Sequence, residues 1–366
     1  MLLSYNNFMG KLKRILTVVF CIAGTLTIAL SLTAYCFFGH HYKGTYIEDE
    51  DWWQTDFDIG SVSTVEKDKD KDFVILNLAD VQLKDFQKPK VKAVVHKEIS
   101  YLVKTYKPDL ITLTGDQTQS DYNLVSLKSL ISWLDSYKVP YAPIFGNHDS
   151  GDDFNSAVAS ERYCCDLYEK GKYSLFKRGP SDIGNLGNYA VNITEDGRIV
   201  KTLYMMNLGK NYDLTRFQKG WFKWVANGIK KYNNDVYSDA MVFTHKDVGY
   251  ESAYKYYLEN PDSAEGTVYK FEHFSSTREA DFVELAKSCG VSDFLCGHEH
   301  ANNFTINYNN ARFTFCLKTG ETCYWYEKDD VYLNGATEMR INKDDTSIVH
   351  HFVEPGKFVT GVKNNL

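Results

Sequence analysis

The sequence predicts a layered α/β domain with a strand-rich second half, behind one membrane-spanning N-terminal helix. Three observations carry that expectation. Short apolar runs alternate with helical-period segments from Phe73 to Phe145, polar side chains gather where those runs end, and residues 15–39 hold no charged side chain. A chain of 366 residues is long enough for one large or two modest domains with a buried core. Its 15% aromatic content excludes wholesale disorder.

Residues 1–14 carry Lys11, Lys13 and Arg14 and no acid, and they are expected in the cytoplasm. Residues 15–39 are expected to form a transmembrane signal-anchor, because a helix of that length reaches ~37 Å against a hydrocarbon core of ~30 Å. Basic residues before it and Glu48 to Asp51 after it orient the body to the exoplasmic side of a single-pass cell-membrane protein. Secretion after signal cleavage is the alternative. Against it, the stretch exceeds the usual ~7–15 apolar residues of a signal peptide and shows no Ala-x-Ala site. Residues 40–71 read as an acidic stalk and residues 72–366 as the domain. Beyond residue 39 the chain has 38 basic against 48 acidic residues, so nucleic-acid binding is not expected. An acidic body also repels phosphates, so phosphate chemistry here requires local positive charge such as metal ions.

Phe73 to Leu78 is a buried-type strand. Val91, Val94, Val95, Ile99, Leu102, Val103 and Tyr106 then recur at helical spacing up to Pro108. Asp109 to Thr114 gives a second strand, Leu124 to Leu134 a second helix, and Tyr141 to Phe145 a third strand. Successive β-α-β units imply a parallel sheet with right-handed crossovers. Tyr189 to Ile193 and Thr202 to Leu208 flank an Asp196-Gly197 turn. A helix follows Asp213 as candidate N-cap, with Leu214, Phe217, Trp221, Trp224 and Val225 on one face. Strands at Met241 to Phe243 and Asp293 to Cys296 bracket a helix from Ser276 to Cys289. Two hairpins close the chain: Phe304 to Tyr308 with Arg312 to Leu317 around Asn309-Asn310, then Glu338 to Ile341 with Thr346 to Val353. Cys164, Cys165, Cys289, Cys296, Cys316 and Cys323 form an even set that permits disulfides on the exoplasmic side. Asn192 and Asn303 stand in glycosylation sequons.

Chemistry concentrates at the strand ends. The first strand ends in Asp80-Val81-Gln82, the second in Gly115-Asp116, and the third in Gly146-Asn147-His148-Asp149. Thr244-His245 follows the strand at Met241, and Gly297-His298-Glu299-His300 follows the strand at Asp293. In open α/β sheets ligands bind beyond the carboxyl ends of the strands. Each piece alone has a plainer meaning: Asp and Gly-Asn are turn formers, and a lone His is commonly a hydrogen-bonded core residue. Together they deliver oxygen and imidazole donors to one crevice, a set suited to hard or borderline divalent metals.

This ordered set resembles the calcineurin-like metallophosphoesterases, over a span from about Asp72 to the C-terminal hairpins. Gly297 to Phe304, with Lys318-Thr319-Gly320 downstream, looks most like the purple-acid-phosphatase-like branch. The resemblance implies a four-layer α/β/β/α sandwich with two divalent metal ions (Mn, Fe or Zn) at the sheet edge. It implies that Asp80, Gln82 and His300 hold one ion, that Asn147, His245 and His298 hold the other, and that Asp116 bridges them. Gln82 departs from the commoner His and hardens its site. Purple acid phosphatases place a Tyr three residues after the bridging Asp; Gln119 stands there, so no tyrosinate-to-iron colour is expected.

The implied activity is hydrolysis of a phosphate ester by in-line attack of a hydroxide held between the metals. The same cations offset phosphoryl charge, and the resemblance assigns leaving-group protonation to His148 with Asp149 or Asp121 as its carboxylate partner. A phosphodiesterase or pyrophosphatase acting on nucleotides or lipid head groups fits the same motifs, because loops select the substituents. A catalytically inert, metal-containing surface binding protein is the reading from a different class; its mark is loss of a ligand or of His148, and neither is missing. Tyr250 to Ser275 is a candidate specificity loop or, equally, a solvated insertion.

Overall fold

The computed structural model describes residues 2–41, 52, 55–85, 87–119, 123–149, 159–209, 213–268, 280–320, 327–328, 331–343, 345–354 and 357–358. The chain divides into two units, Met1–Lys43 and Gly44–Leu366. The first is one helix, α1 (Leu2–His41), in which Met9–Ser31 is long and apolar enough to cross a membrane, with none of it buried.

The second unit runs β1 (Ser63–Glu66), β2 (Phe73–Leu78), α2 (Pro89–Tyr106), β3 (Leu110–Thr114), α3 (Leu124–Tyr137), β4 (Tyr141–Ile144) and α4 (Glu161–Glu169). It continues through β5 (Tyr189–Glu195), β6 (Arg198–Met205), α5 (Arg216–Tyr232), β7 (Asp239–Phe243), α6 (Tyr250–Glu259), β8 (Ala264–Thr267) and α7 (Ala280–Ser288). It ends with β9 (Val291–Cys296), β10 (Asn303–Tyr308), β11 (Ala311–Phe315), the short pair β12 (Glu327–Lys328) and β13 (Val331–Tyr332), then β14 (Gly335–Ile341) and β15 (Thr346–Phe352). One sheet has the order β15-β14-β2-β3-β4, and the other β1-β5-β6-β7-β9-β11-β10-β8.

The layers follow from side-chain alternation along the strands. On β6 and β7, Leu203, Met205, Met241 and Phe243 join a core shared with the five-stranded sheet and with α2, α3 and α4. Their neighbours Tyr204, Ala240 and Val242 point the other way, into a second core with α5, α6 and α7. Both faces of the larger sheet are therefore buried, which gives helix, sheet, sheet and helix layers. The Tyr189 hydroxyl donates to the Pro143 carbonyl at 2.7 Å, tying the two sheets together.

Several expectations shift. The sheet reaches into the stretch read as a stalk: β1 pairs in parallel with β5, and Trp52 and Phe57 stack edge-on against Trp224 at 5.5 and 5.2 Å. Aromatic burial draws this stretch onto α5, so the domain starts before residue 72. Helix α5 is capped by Thr215 rather than Asp213, in a reciprocal box with Gln218. Strand β6 begins at Arg198, straight after the tight Asp196-Gly197 turn, whose residues have φ of 49° and 76°. The Tyr250 to Ser275 segment is not a free loop in its described part. It forms α6 and edge strand β8, and the fully buried Tyr250 hydroxyl donates to Phe294 O and Thr314 O. Residues 269–275 lie outside the described residues.

Among the described residues, Cys164, Cys165, Cys289, Cys296 and Cys316 are buried free thiols; Cys323 lies outside them. Cys164, Cys165 and Cys316 lie in one apolar core, and Cys289 and Cys296 in the other. Asn192 and Asn303 are 2% and 0% exposed on strands, which leaves no room for a glycan.

Candidate metal centre

The loops after β2, β3, β7 and β9 are stitched to one another by backbone bonds. Asp80 N–H donates to Gly115 O, Gln82 N–H to Asp116 O, and Gly297 N–H to His245 O. Satisfying that stitching forces unusual backbone. Asp80, Gln82, Asp116 and His298 have φ of 52°, 49°, 50° and 69°, a left-handed region that costs non-glycine residues about 1–2 kcal/mol each. Such strain concentrates at functional sites. Gly146 is required for a different reason: a Cβ there would lie 2.2 Å from Asp116 Oδ1 and 2.3 Å from its backbone nitrogen.

The side chains converge on Asp116. Its Oδ2 lies 3.4 Å from Gln82 Nε2, and its Oδ1 lies 3.3 Å from His245 Nε2 and accepts from the His148 backbone N–H at 2.8 Å. His245 Nε2 is 2.9 Å from Asn147 Oδ1 and 3.3 Å from His298 Nδ1. The Asp80 carboxylate accepts from the His298 N–H and sits 3.4 Å from His300 Nε2. All seven expected ligands thus fall in one contiguous cluster. Ligand atoms of Asp116, His245 and His298 lie within 4.8 Å of one another.

A family profile described as calcineurin-like phosphoesterase matches residues 73–302. The chain belongs to the calcineurin-like phosphoesterase family. Phosphatase DCR2 of Saccharomyces cerevisiae is 26% identical over 224 residues, which are 55% of this chain and 37% of the yeast protein. The uncharacterized metallophosphoesterase YkoQ of Bacillus subtilis is 28% identical over 176 residues, 45% of this chain and 61% of that protein. The matches therefore span less than two thirds of either relative. A solved dimetal phosphatase from Danio rerio aligns with TM-score 0.51 and 11% identity over 75% of this chain and 95% of its own, a likeness of fold.

The donors of this phosphoesterase-family cluster fit divalent metal ions. Gln82 is 1% exposed, and its Oε1 is buried with no hydrogen-bond partner, a lone pair already stripped of water. The seven side chains offer carboxylate, amide and imidazole donors and no thiolate. His245 Nδ1 lies 2.9 Å from the Thr114 carbonyl, which only accepts, so Nδ1 carries a proton and Nε2 turns to the cluster. Burial opposes ionisation of Asp116, yet the His245 imidazole holds its carboxyl well below the usual range. Burial likewise opposes charge on His245, and the Asp116 carboxylate overrides it, pushing the imidazole up to about 9. Burial and the neighbouring His245 push His298 down to about 2. Without metal, then, one proton sits at the Asp116–His245 contact and His298 is neutral.

His148 stands at the rim, its side chain 16% exposed and its Nε2 3.8 Å from Asp116 Oδ2. Asp149 is buried in the same turn, 3% exposed. Its carboxylate accepts from Gly146 N–H at 2.9 Å, Thr118 N–H at 2.8 Å and the Thr118 hydroxyl at 3.0 Å. Burial, reinforced by the Asp116 charge, raises its carboxyl to about 7. These hydrogen bonds clamp the Gly146–Asp149 turn. Asp121, the other candidate partner, lies outside the described residues. Thr114 and Thr118 were not singled out from sequence: one acts through its carbonyl and the other inside an ordinary strand-end run, so neither leaves a motif.

Proposed function

We propose that this chain is a membrane-tethered phosphoric ester hydrolase of the purple-acid-phosphatase-like branch, using two divalent ions drawn from Mn, Fe and Zn. The observation that carries the reading is seven donors from five strand ends meeting around Asp116, with a desolvated, unpartnered Gln82 oxygen among them. Asp80, Gln82 and His300 would hold one ion, Asn147, His245 and His298 the other, with Asp116 shared. When bound, the ions supply Lewis acidity and an activated water near neutral pH. The protein supplies the rest. Strained, stitched loops hold the donors without reorganisation, and Thr114 fixes the tautomer of His245. His148, anchored through its backbone to Asp116, projects its imidazole from the rim to give a proton to the departing alkoxide oxygen. The Asp149 clamp keeps the turn that carries Asn147 and His148 in register. With Gln119 in place of a tyrosine ligand, no visible charge-transfer band is expected.

Residues 15–39 would anchor the chain with the N-terminus cytoplasmic and the body exoplasmic, in keeping with a helix whose described apolar stretch, Met9–Ser31, is unburied. Protease protection of the full chain in sealed vesicles tests that sidedness. The catalytic reading is tested on the full chain in detergent, loaded with each candidate metal and assayed on para-nitrophenyl phosphate and its bis ester. Hydrolysis should vanish with chelator and in Asp116→Asn, and kcat should fall about 10²–10⁴-fold in His148→Ala. Equal turnover by wild type and Asp116→Asn refutes it, and the ratio of the two esters assigns mono- or diesterase.

A further inference from the structure

The candidate donors come from two different sheets. Asp80, Gln82, Asp116 and Asn147 follow β2, β3 and β4 of the five-stranded sheet, whereas His245, His298 and His300 follow β7 and β9 of the larger one. Sliding either sheet along the other would part them. Two ties against such sliding run through donors themselves: His245 Nδ1 lies 2.9 Å from Thr114 O, and the Asp80 carboxylate accepts from the His298 N–H at 3.0 and 3.1 Å. A third tie uses no donor side chain. Residues 316–320, which include the Lys318-Thr319-Gly320 run, form a strap from one sheet to the other. Cys316 N–H donates to Cys296 O at 2.7 Å, two residues before His298, and Thr319 N–H donates to Ala79 O at 2.7 Å, one residue before Asp80. Lys318 lies beside Ala79 in a parallel bridge, and its carbonyl accepts from Gly335 N–H.

The end of the strap is pinned by buried charge. Glu98, the only acid of α2, is 0% exposed, and its Oε1 accepts from Gly320 N–H at 3.0 Å and from Asn334 Nδ2 at 2.9 Å. Lys318 is also 0% exposed, and its Nζ donates to Gly320 O at 2.7 Å. Both polar backbone groups of Gly320 are thus held by ionisable side chains. Gly320 has a φ of 88°, and a Cβ there would stand 3.2 Å from Val95 Cγ1 of α2. Burying a carboxylate and an ammonium is costly, and a strap that served packing alone would need neither.

We infer that Glu98 is a positioning residue for the metal centre. Through Gly320 it holds the strap that keeps the Asp80 loop of one sheet and the His298 loop of the other in register. Loss of its carboxylate frees the Gly320 end, and the two loops then meet a cation in a less fixed arrangement. The inference rests on the metal-binding reading above and adds to it a group that acts from the helix layer.

The test reads metal affinity against stability. The full chain in detergent is stripped with chelator and titrated with Zn2+ by calorimetry, and the same samples are unfolded in urea. Glu98→Ala should raise the Zn2+ Kd on the order of tenfold or more, the effect of removing groups that support metal ligands. Glu98→Gln keeps an oxygen acceptor for Gly320 and should restore most of that loss. Gly320→Ala strains the strap at positive φ and leaves the carboxylate in place; it should raise the Kd as well, and it carries the test if Glu98→Ala does not fold. Leu130→Ala removes packing from the same core on α3, so it should lower urea resistance yet bind Zn2+ as wild type does. A wild-type Kd in folded Glu98→Ala and Gly320→Ala, or a rise in Leu130→Ala as large as theirs, overturns the positioning role alone. Absence of Zn2+ uptake by folded wild type overturns the metal-binding reading and the inference with it.

Discussion

In the metal-free protein, Asp116 and His245 should titrate as partners, and Asp116→Asn should uncouple them. The carboxylate oxygen lies 3.3 Å from His245 Nε2, and both residues are buried. Burial alone drives the imidazole below its ordinary 6.5; the Asp116 charge and hydrogen bond reverse this and carry it to about 9. The rise from 6.5 to about 9 corresponds to about 3 kcal/mol in favour of the imidazolium. Asparagine keeps the shape and removes the charge, so burial should bring the His245 midpoint below 6.5. The assay is imidazole NMR on chelator-treated, histidine-labelled full chain, titrated in both proteins. The linkage has a defined sign. The raised histidine contributes stability that is complete below 6.5 and is lost as pH rises through about 9; the depressed Asp116 contributes stability that is lost as pH falls below the usual carboxylate range. Metal-free wild type should therefore be most resistant to urea between those limits, and Asp116→Asn should lose that maximum. Metal uptake near pH 7 should release about one proton, read from calorimetry in buffers of different ionisation enthalpy. Identical His245 midpoints in the two proteins would show that the carboxylate does not face the imidazole, and the site geometry would fail with it.

Gly146→Ala should fold, as judged by far-ultraviolet circular dichroism, yet lose metal and hydrolysis together, because the added methyl group occupies the space of the Asp116 carboxylate, 2.2 Å away. Thr118→Val removes one hydrogen bond to the buried Asp149 and should cost about 1 kcal/mol in urea unfolding, with a rise in the metal concentration needed for activity rather than a new pH optimum. Burial, aided by neighbouring His351, depresses His350 to about 4. Its contribution is therefore complete above 6.5 and is lost as pH falls towards 4, so between about pH 8 and about pH 5 wild type should lose about 2 kcal/mol that His350→Gln does not.

The parallel core was readable from sequence because its strands are buried on both faces and appear as unbroken apolar runs. Phe73–Leu78 has the expected limits, and every residue in it is buried. The Asn309-Asn310 turn was equally plain: both residues take positive φ, as a two-residue hairpin turn demands. The first residues of the domain were hidden by composition. Ser63–Glu66 alternates between half-buried and exposed positions, and its acidic, polar character mimics a tether until strand β5 is present to pair with it. Helix α4 was missed because only Cys164, Cys165 and Tyr168 are buried, too short a face to reveal a period. The seven candidate donors were legible because each follows the end of a strand, whereas the hydrogen bonds of Asp149 were not: adjacency to His148 in sequence says nothing about where a carboxylate turns once the chain bends.

That bend explains why chemistry and strain fall on the same residues. A strand leaving a parallel sheet must turn within a residue or two if its side chain is to face a neighbouring strand's tip rather than solvent. Asp80, Gln82, Asp116 and His298 make that turn at positive φ without being glycine, since glycine would take the strain and bring no side chain to the cluster. The backbone bonds between the loops, from Asp80 N–H to Gly115 O and from Gln82 N–H to Asp116 O, hold the turns shut before any cation arrives. Folding thus bears the cost of gathering like-charged carboxylates, and a cation that relieves this repulsion would meet a site with little left to rearrange.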